Sequence, residues 1–170
     1  MKIFQSIDNK RKEILRKRIT KDLILIAKKN VLDNGCGKYG SWNYKETPAL
    51  QITSIDKIYG QDSHKLKSER NSFDIVVFSG VINYLENPVK ALKECYRVLK
   101  PKGLLLISST NPNSLFKIFK GFKTETILFT LGGLKKLCQH VRFKIKFEKL
   151  IDFEFVPNKR KMIIYLVCKK

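Results

Sequence analysis

At 170 residues, with 43% hydrophobic and 29% charged side chains, the chain has the length and composition of one globular domain. It is too short for a nucleotide-binding domain plus a separate substrate domain. A net charge of +20 fits a surface that meets nucleic acid or another polyanion, and it fits equally the lysine-, isoleucine- and asparagine-rich composition that an AT-rich genome gives its whole proteome. No apolar run near the N-terminus approaches a membrane span, and no charged-then-apolar leader opens the chain, so no membrane insertion is expected.

The first predicted element is a helix from Asn9 to Ala27, part of a basic N-terminal segment over residues 1–29. Leu15, Ile19, Leu23 and Ile26 recur at helical spacing, while Lys10, Arg11, Lys12, Arg16, Lys17 and Lys21 fill the other face. Short apolar runs follow: "VLD" from Val31, "QITSID" from Gln51, "FDIVVF" from Phe73 and "LLLIS" from Leu104 read as buried strands. Between the last two lies a helix in which Asn87 caps, Pro88 suits the first turn, and Val89, Leu92, Tyr96 and Leu99 form one face. Pro101 and Gly103 stop it. A basic aromatic stretch, "LFKIFKGFK", precedes a helix from Leu131 to His140, and "FKIKFEKLIDFEF" and "KMIIYLVCKK" suit a terminal antiparallel pair. The alternation predicts a single α/β domain over residues 1–170, a mostly parallel sheet with helices on both faces. Cys36, Cys95, Cys138 and Cys168 are scattered, with no C-x-x-C pair and only His64 and His140 to help. They predict free thiols, a reducing cytoplasmic compartment and no metal site.

In an open parallel sheet, ligands sit at the carboxyl ends of strands, which directs attention to "VLDNGCGKYG". Gly35, Gly37 and Gly40 spell G-x-G-x-x-G, and Asp56 follows about twenty residues later, so the dinucleotide fingerprint is formally satisfied. Asp33 argues against a dinucleotide, because a carboxylate two residues before the first glycine repels a pyrophosphate. S-adenosylmethionine instead presents a sulfonium and an ammonium, which a carboxylate favours. Asp56 can accept from ribose hydroxyls in either case and does not discriminate.

The following segment resembles the class I S-adenosylmethionine-dependent methyltransferases, in particular the type 11 branch with quinone-biosynthesis and related small-molecule enzymes. The likeness runs through "VLDNGCG", "SID", "GQDSHKL", "NSFDIVVFSGVINYLENPVKALKECYRVLKPKGLLLIS" and "TNPNS", about half the chain by motif, and Asn71 to Ser108 is its most specific part. The resemblance implies a Rossmann-like methyltransferase fold with S-adenosyl-L-methionine as cofactor and S-adenosyl-L-homocysteine as product. It implies that Asp33, Gly35 and Gly37 meet the methionine end, with the backbone of Ser79 and Gly80 facing the same moiety. Asp56 then meets the ribose, and Asp62 with the Ser63 backbone meets the adenine. Asp74, at a strand start, is expected to order local backbone rather than touch cofactor. Three departures matter: Tyr39 stands where the family has its third glycine, no helix fits between Asp56 and Asp62, and Asn83-Tyr84 replaces a common Glu-His. They imply a reshaped turn, an open adenine edge and no inherited histidine role.

Methyl transfer from a sulfonium is an in-line displacement that asks the protein mainly for positioning and desolvation. His64, Asn83, Tyr84 and Asn111 are the loop residues placed to act at the methyl group. The expected acceptor is an O, N or C nucleophile of a small molecule. RNA is the alternative: residues 113–130 offer only a small lid, and Phe116, Phe119 and Phe122 interleave with Lys117, Lys120 and Lys123 as in single-strand binders. An inactive methyltransferase-fold partner subunit is a third reading, resting on the reshaped glycine turn. The sequence assigns no oligomeric state.

Overall fold

The computed structural model describes residues 2–25, 29–48, 50–114, 127–153 and 156–170. Among these residues six strands, β1 (Asn30–Asn34), β2 (Gln51–Ile55), β3 (Phe73–Ser79), β4 (Leu99–Thr110), β5 (Lys144–Ile151) and β6 (Ile163–Lys169), form one sheet in the order β2-β1-β3-β4-β6-β5. β1 to β4 pair in parallel, and β6 lies antiparallel between β4 and β5. The mostly parallel sheet with a C-terminal antiparallel pair is therefore present.

Among the described residues, three α-helices cover the sheet: α1 (Lys2–Ile24), α2 (Pro88–Val98) and α3 (Leu131–His140). Alternating side chains sort the strands between two cores. Val31, Ile75, Val77, Leu106 and Tyr165 meet Leu15, Ile19 and Leu23 of α1 on one face. Leu32, Val76, Phe78, Leu105, Ile107 and Leu166 meet α2 and α3 on the other. Fully burying one such aliphatic or aromatic side chain stabilises by roughly 1.5–3 kcal/mol.

The elements differ from the expected ones in three places. α1 begins at Lys2 rather than Asn9, since no glycine or proline interrupts the earlier residues, and it ends at Ile24. In α2 the expected cap holds, with Asn87 Oδ1 accepting from Lys90 N–H at 2.9 Å. Its inner face is Ala91, Leu92, Cys95 and Val98, about one residue out of phase with the expected stripe. Small Ala91 and Cys95 let the helix sit close to the sheet, while Tyr96 turns to the side and meets the Phe143 ring edge-on at 5.1 Å between centroids. "KPKG" does more than stop α2. Leu99 already pairs with Phe73, and the register then jumps so that Ile75 meets Leu104, making residues 100–103 a bulge inside β4. Lys102 takes φ 67°, and Gly103 passes so near the backbone that an added Cβ would lie 2.9 Å from the Asp74 carbonyl oxygen.

The α1 face is thinly built beyond that helix. Between β1 and β2 the chain makes only a short 3-10 turn, Tyr44–Glu46, and between β2 and β3 another, Lys57–Tyr59. Trp42, the chain's one tryptophan, fills the space, 1% exposed, with Nε1 donating to Thr47 Oγ1 at 3.0 Å. Polar ties dock α1: Arg11 Nε donates to Asp152 Oδ1 in a buried pair, and Tyr165 OH donates to Asp22 Oδ2 at 2.7 Å.

Candidate active site

The strand order reverses at β1, whose neighbours are β2 on one side and β3 on the other, so a crevice opens above their carboxyl ends. Gly35 begins the turn after β1 at φ 89°, and an added Cβ would lie 1.9 Å from Val81 Cγ2, so a side chain is excluded where the turns after β1 and β3 touch. The Ile55 carbonyl at the end of β2 accepts from Gly35 N–H at 2.8 Å and from Cys36 N–H at 3.2 Å. At Gly37 and Gly80 an added Cβ would meet nothing within 4 Å, so these two backbones face open space. They border a cleft of about 780 Å³, which also touches Ser108, Ser109 and Thr110 at the end of β4 and Met162 and Ile163 at the start of β6.

Asp33 is fully buried and does not line this cleft. Its Oδ2 accepts from Ser41 N–H at 2.8 Å and from Tyr44 OH at 2.6 Å, and its Oδ1 accepts from Ser41 Oγ at 2.5 Å. Burial raises its pKa above the ordinary aspartate value, against the pull of those hydrogen bonds. The carboxylate thus folds residues 41–44 back under the glycine turn. Asp56 ties the same turn to β2: Oδ2 accepts from Gly37 N–H at 2.7 Å and Oδ1 from Ile58 N–H at 3.0 Å. Asp62 is exposed, and its Oδ1 accepts from His64 N–H at 2.8 Å and lies 2.7 Å from His64 Nδ1, bonds that hold its pKa below the ordinary range. Asn87 N–H approaches His64 Nε2 at 3.4 Å, which leaves Nδ1 as the proton-bearing nitrogen. Ser63 Oγ donates to Asn34 Oδ1 at 2.6 Å.

Of the residues singled out from sequence, Gly35, Gly37, Ser79, Gly80 and Tyr84 line the cleft, while Asp33, Asp56, Asp62, Ser63, His64, Asn83 and Asn111 do not. Ser79 Oγ and Ser108 Oγ lie 3.1 Å apart, and Gly80 N–H donates to the Ser108 carbonyl at 3.2 Å. Asn83 is buried, its Nδ2 donating to Ser109 Oγ at 3.0 Å and to the Ile127 carbonyl at 2.6 Å, and its Oδ1 accepting from Thr110 N–H at 3.1 Å. Asn111 Nδ2 donates to the Lys161 carbonyl at 2.8 Å, and its Oδ1 accepts from Asn113 N–H at 3.0 Å. Both amides are engaged in joining loops. Tyr84 is 73% exposed at the cleft mouth. Asp74 behaves as expected, its Oδ2 accepting from Asn30 N–H and Lys100 Nζ, each at 3.0 Å. Phe116, Phe119, Phe122, Lys117, Lys120 and Lys123, with most of the expected lid, lie outside the described residues.

Two features escaped sequence reasoning. One wall of the cleft is α1, through Arg11, Lys12, Leu15 and Arg16, and Arg16 Nη2 donates to the Gly40 carbonyl at 3.1 Å. The basic face of α1 is plain in the sequence, but which of its cations turns inward depends on how the helix docks. Asn34, fully buried, links Ser63 to Cys95 Sγ, 3.6 Å from its Nδ2; a polar residue ending a strand gives no such signal in sequence. Cys36 borders the cleft, and burial together with the Asp33 and Asp56 charges pushes its thiol up to about 11. All four cysteines are buried free thiols. Among the described residues no group of three or more His, Cys, Asp or Glu is arranged to hold a metal, and no helix is long and apolar enough to cross a membrane.

Comparison with known proteins places this architecture. Residues 32–107 match the family model described as a methyltransferase domain. The chain is 26% identical over 173 residues to the demethylmenaquinone methyltransferase of Staphylococcus aureus, an alignment spanning 88% of this chain and 70% of that protein. Its fold is that of a SAM-dependent methyltransferase from Aquifex aeolicus, with a TM-score of 0.73 at 18% identity over 99% of this chain and 96% of the other. It also matches the 1,6-didemethyltoxoflavin-N1-methyltransferase of Burkholderia thailandensis, solved with S-adenosylhomocysteine bound, with a TM-score of 0.71 at 16% identity over 99% and 85% of the two chains. The glycine turn at the switch point of the sheet, the match over residues 32–107 and these likenesses together support a class I S-adenosylmethionine-dependent methyltransferase of the type 11, quinone-biosynthesis-like branch.

Proposed function

We propose that the chain transfers the methyl group of S-adenosylmethionine, in line, to a nucleophile of a small molecule that enters the cleft between α1 and the ends of β3 and β4. The observation that carries this reading is the open backbone at Gly37 and Gly80, on either side of the strand switch and bordering a cleft of about 780 Å³. That volume lies within the range of small-ligand pockets, about 300–1,000 Å³. The methionine end rests on Gly35, Gly37, Ser79 and Gly80, with Asp33 supporting the turn from behind. The ribose meets Asp56, and the adenine meets Asp62 and the Ser63 backbone at an edge where the chain makes the short 3-10 turn Lys57–Tyr59.

The bound cofactor supplies a methyl carbon already activated by its sulfonium. The protein's part is alignment: the Gly35–Val81 contact fixes the two turns against each other, and Asp56 holds the Gly37 backbone, so the floor under the methyl group is rigid. No carboxylate or imidazole lines the cleft among the described residues, and its phenols, Tyr39 and Tyr84, are both exposed. The acceptor therefore arrives deprotonated or releases its proton to water, without a dedicated base. Calorimetric titration tests the reading. S-adenosylmethionine and S-adenosylhomocysteine bind and NAD does not; absence of binding by both adenosyl ligands at millimolar concentration overturns it.

A further inference from the structure

The cleft's electrostatics point to the class of acceptor. Arg16 is half-buried in the cleft wall, and its one hydrogen bond among the described residues goes to the neutral Gly40 carbonyl, with no carboxylate within ion-pair distance. Lys38, after the glycine turn, lines the same space. Arg11 and Lys12 of α1 are there too, but both are engaged, Arg11 by Asp152. Among the described residues, no aspartate or glutamate lines the cleft. The acids that support the glycine turn are already engaged, Asp33 behind the turn by Ser41 and Tyr44, and Asp56 by Gly37 and Ile58.

The cofactor does not offset this excess, because its sulfonium and ammonium outnumber its single carboxylate. An acceptor bearing a positive charge meets repulsion from wall and cofactor together, whereas an anion is drawn in, and a partly desolvated guanidinium gains most from a planar or tetrahedral oxyanion. We propose that the methyl acceptor is a small anionic molecule whose carboxylate or phosphate is held by Arg16 of α1 and Lys38 after the glycine turn, a step that rests on the methyltransferase reading above. The apolar side of the same space, Leu15, Met162 and Ile163, accommodates the acceptor's carbon skeleton.

The test gives the full-length protein methyl-labelled S-adenosylmethionine and host-cell extract separated into RNA, protein and low-molecular-mass metabolites, the last divided by anion exchange. Label is expected in the retained, anionic metabolites. Arg16→Gln lowers its rate of appearance at least about tenfold, the scale for losing a hydrogen-bonded charge partner. Lys38→Gln, on an exposed position, lowers it less, and Arg16→Lys restores part of the loss. Calorimetry with S-adenosylhomocysteine runs alongside. If the wild type does not bind it, the cofactor reading has failed. If it binds, then label confined to unretained metabolites, to RNA or to protein, label in no fraction, or labelling unchanged in both glutamine variants overturns the anionic acceptor. An Arg16→Gln protein that loses S-adenosylhomocysteine binding while Lys38→Gln labels at the wild-type rate overturns it as well, because Arg16 then serves the cofactor alone.

Discussion

The two faces of the sheet are built to different standards. Among the described residues, the α2/α3 face gathers twenty buried apolar side chains into one cluster, whereas the α1 face gathers ten and relies on Trp42, the Arg11–Asp152 pair and the Tyr165–Asp22 bond. The well-filled face gives the strands a fixed platform. The thin face leaves room beside the strand ends, and its polar ties hold a helix in the position of a wall. Stability and site therefore depend on different residues, and substitutions can separate them.

The largest effect comes from breaking a buried ion pair. Asp152→Ala takes the Asp152 carboxylate away from the Arg11 guanidinium, which is buried at 2% exposure, and it also removes the acceptor for Met162 N–H. Urea unfolding is expected to show a loss of roughly 3–5 kcal/mol, and replacing both partners by apolar residues recovers most of it. Leu92→Ala and Trp42→Ala sharpen the contrast. Each costs roughly 2–5 kcal/mol as a large-to-small change in a core, but only the tryptophan variant also weakens S-adenosylhomocysteine binding, since Trp42 adjoins Ser41, which holds Asp33. Equal losses of affinity in the two variants would mean that the faces are not separable in this way.

A smaller effect, confined to the site, is expected from Asp56→Ala. It removes the carboxylate that steadies Gly37 and that we assign to the ribose, so calorimetry reads about 1.5–3 kcal/mol of lost cofactor affinity with little change in the unfolding midpoint. An unchanged dissociation constant removes Asp56 from the site.

Acid separates the regions more gently. The Arg97 side chain holds the Glu94 carboxyl below its ordinary value, helped by Leu66 N–H at 3.0 Å, and Arg97 also binds the carbonyls of Leu66 and Ser68. Because the folded pKa is the depressed one, this contribution is present above the unfolded value of 4.5 and is lost as pH falls through the folded value. Hydrogen exchange at Leu66, corrected for its intrinsic pH dependence, should accelerate below that window, and Glu94→Gln should remove the step. The smallest effect is chemical: with its thiol pushed up to about 11, Cys36 reacts slowly with iodoacetamide at neutral pH. Fast alkylation of Cys36 in the native state would show that the cleft wall opens.

The α2/α3 face was largely legible because its signals are local. Alternation in "FDIVVF", the Asn87 cap and the "KPKG" stop each act within a few residues, and even there the buried stripe of α2 came out one position away, since small Ala91 and Cys95 set the helix depth. The glycine turn was legible as a turn, and Gly35, Gly37, Ser79 and Gly80 do border the cleft. Side-chain partnership was not. Asp33 offered a free carboxylate in the sequence, yet the fold gives its oxygens to Ser41 and Tyr44, and Asn83 and Asn111, which looked available for chemistry, join loops instead. Arg11 and Asp152 are 141 residues apart, and no pattern of spacing announces a pair at that separation.

The clasp at Asn83 also bears on how such a domain can diversify. Its backbone carbonyl accepts from Ile127 N–H at 2.9 Å and its side chain donates to the Ile127 carbonyl, while Ser114 N–H donates to Asn111 at 3.2 Å, so the chain is anchored on both sides of residues 115–126. Both anchors adjoin cleft residues, Tyr84 on one side and Thr110 on the other. The entropy of closing a segment between fixed ends grows only logarithmically with its length. Insertions grafted between Ser114 and Ile127 can therefore be varied with little penalty to folding, which makes this position a natural port for altering which acceptor the enzyme admits while the cofactor floor stays constant.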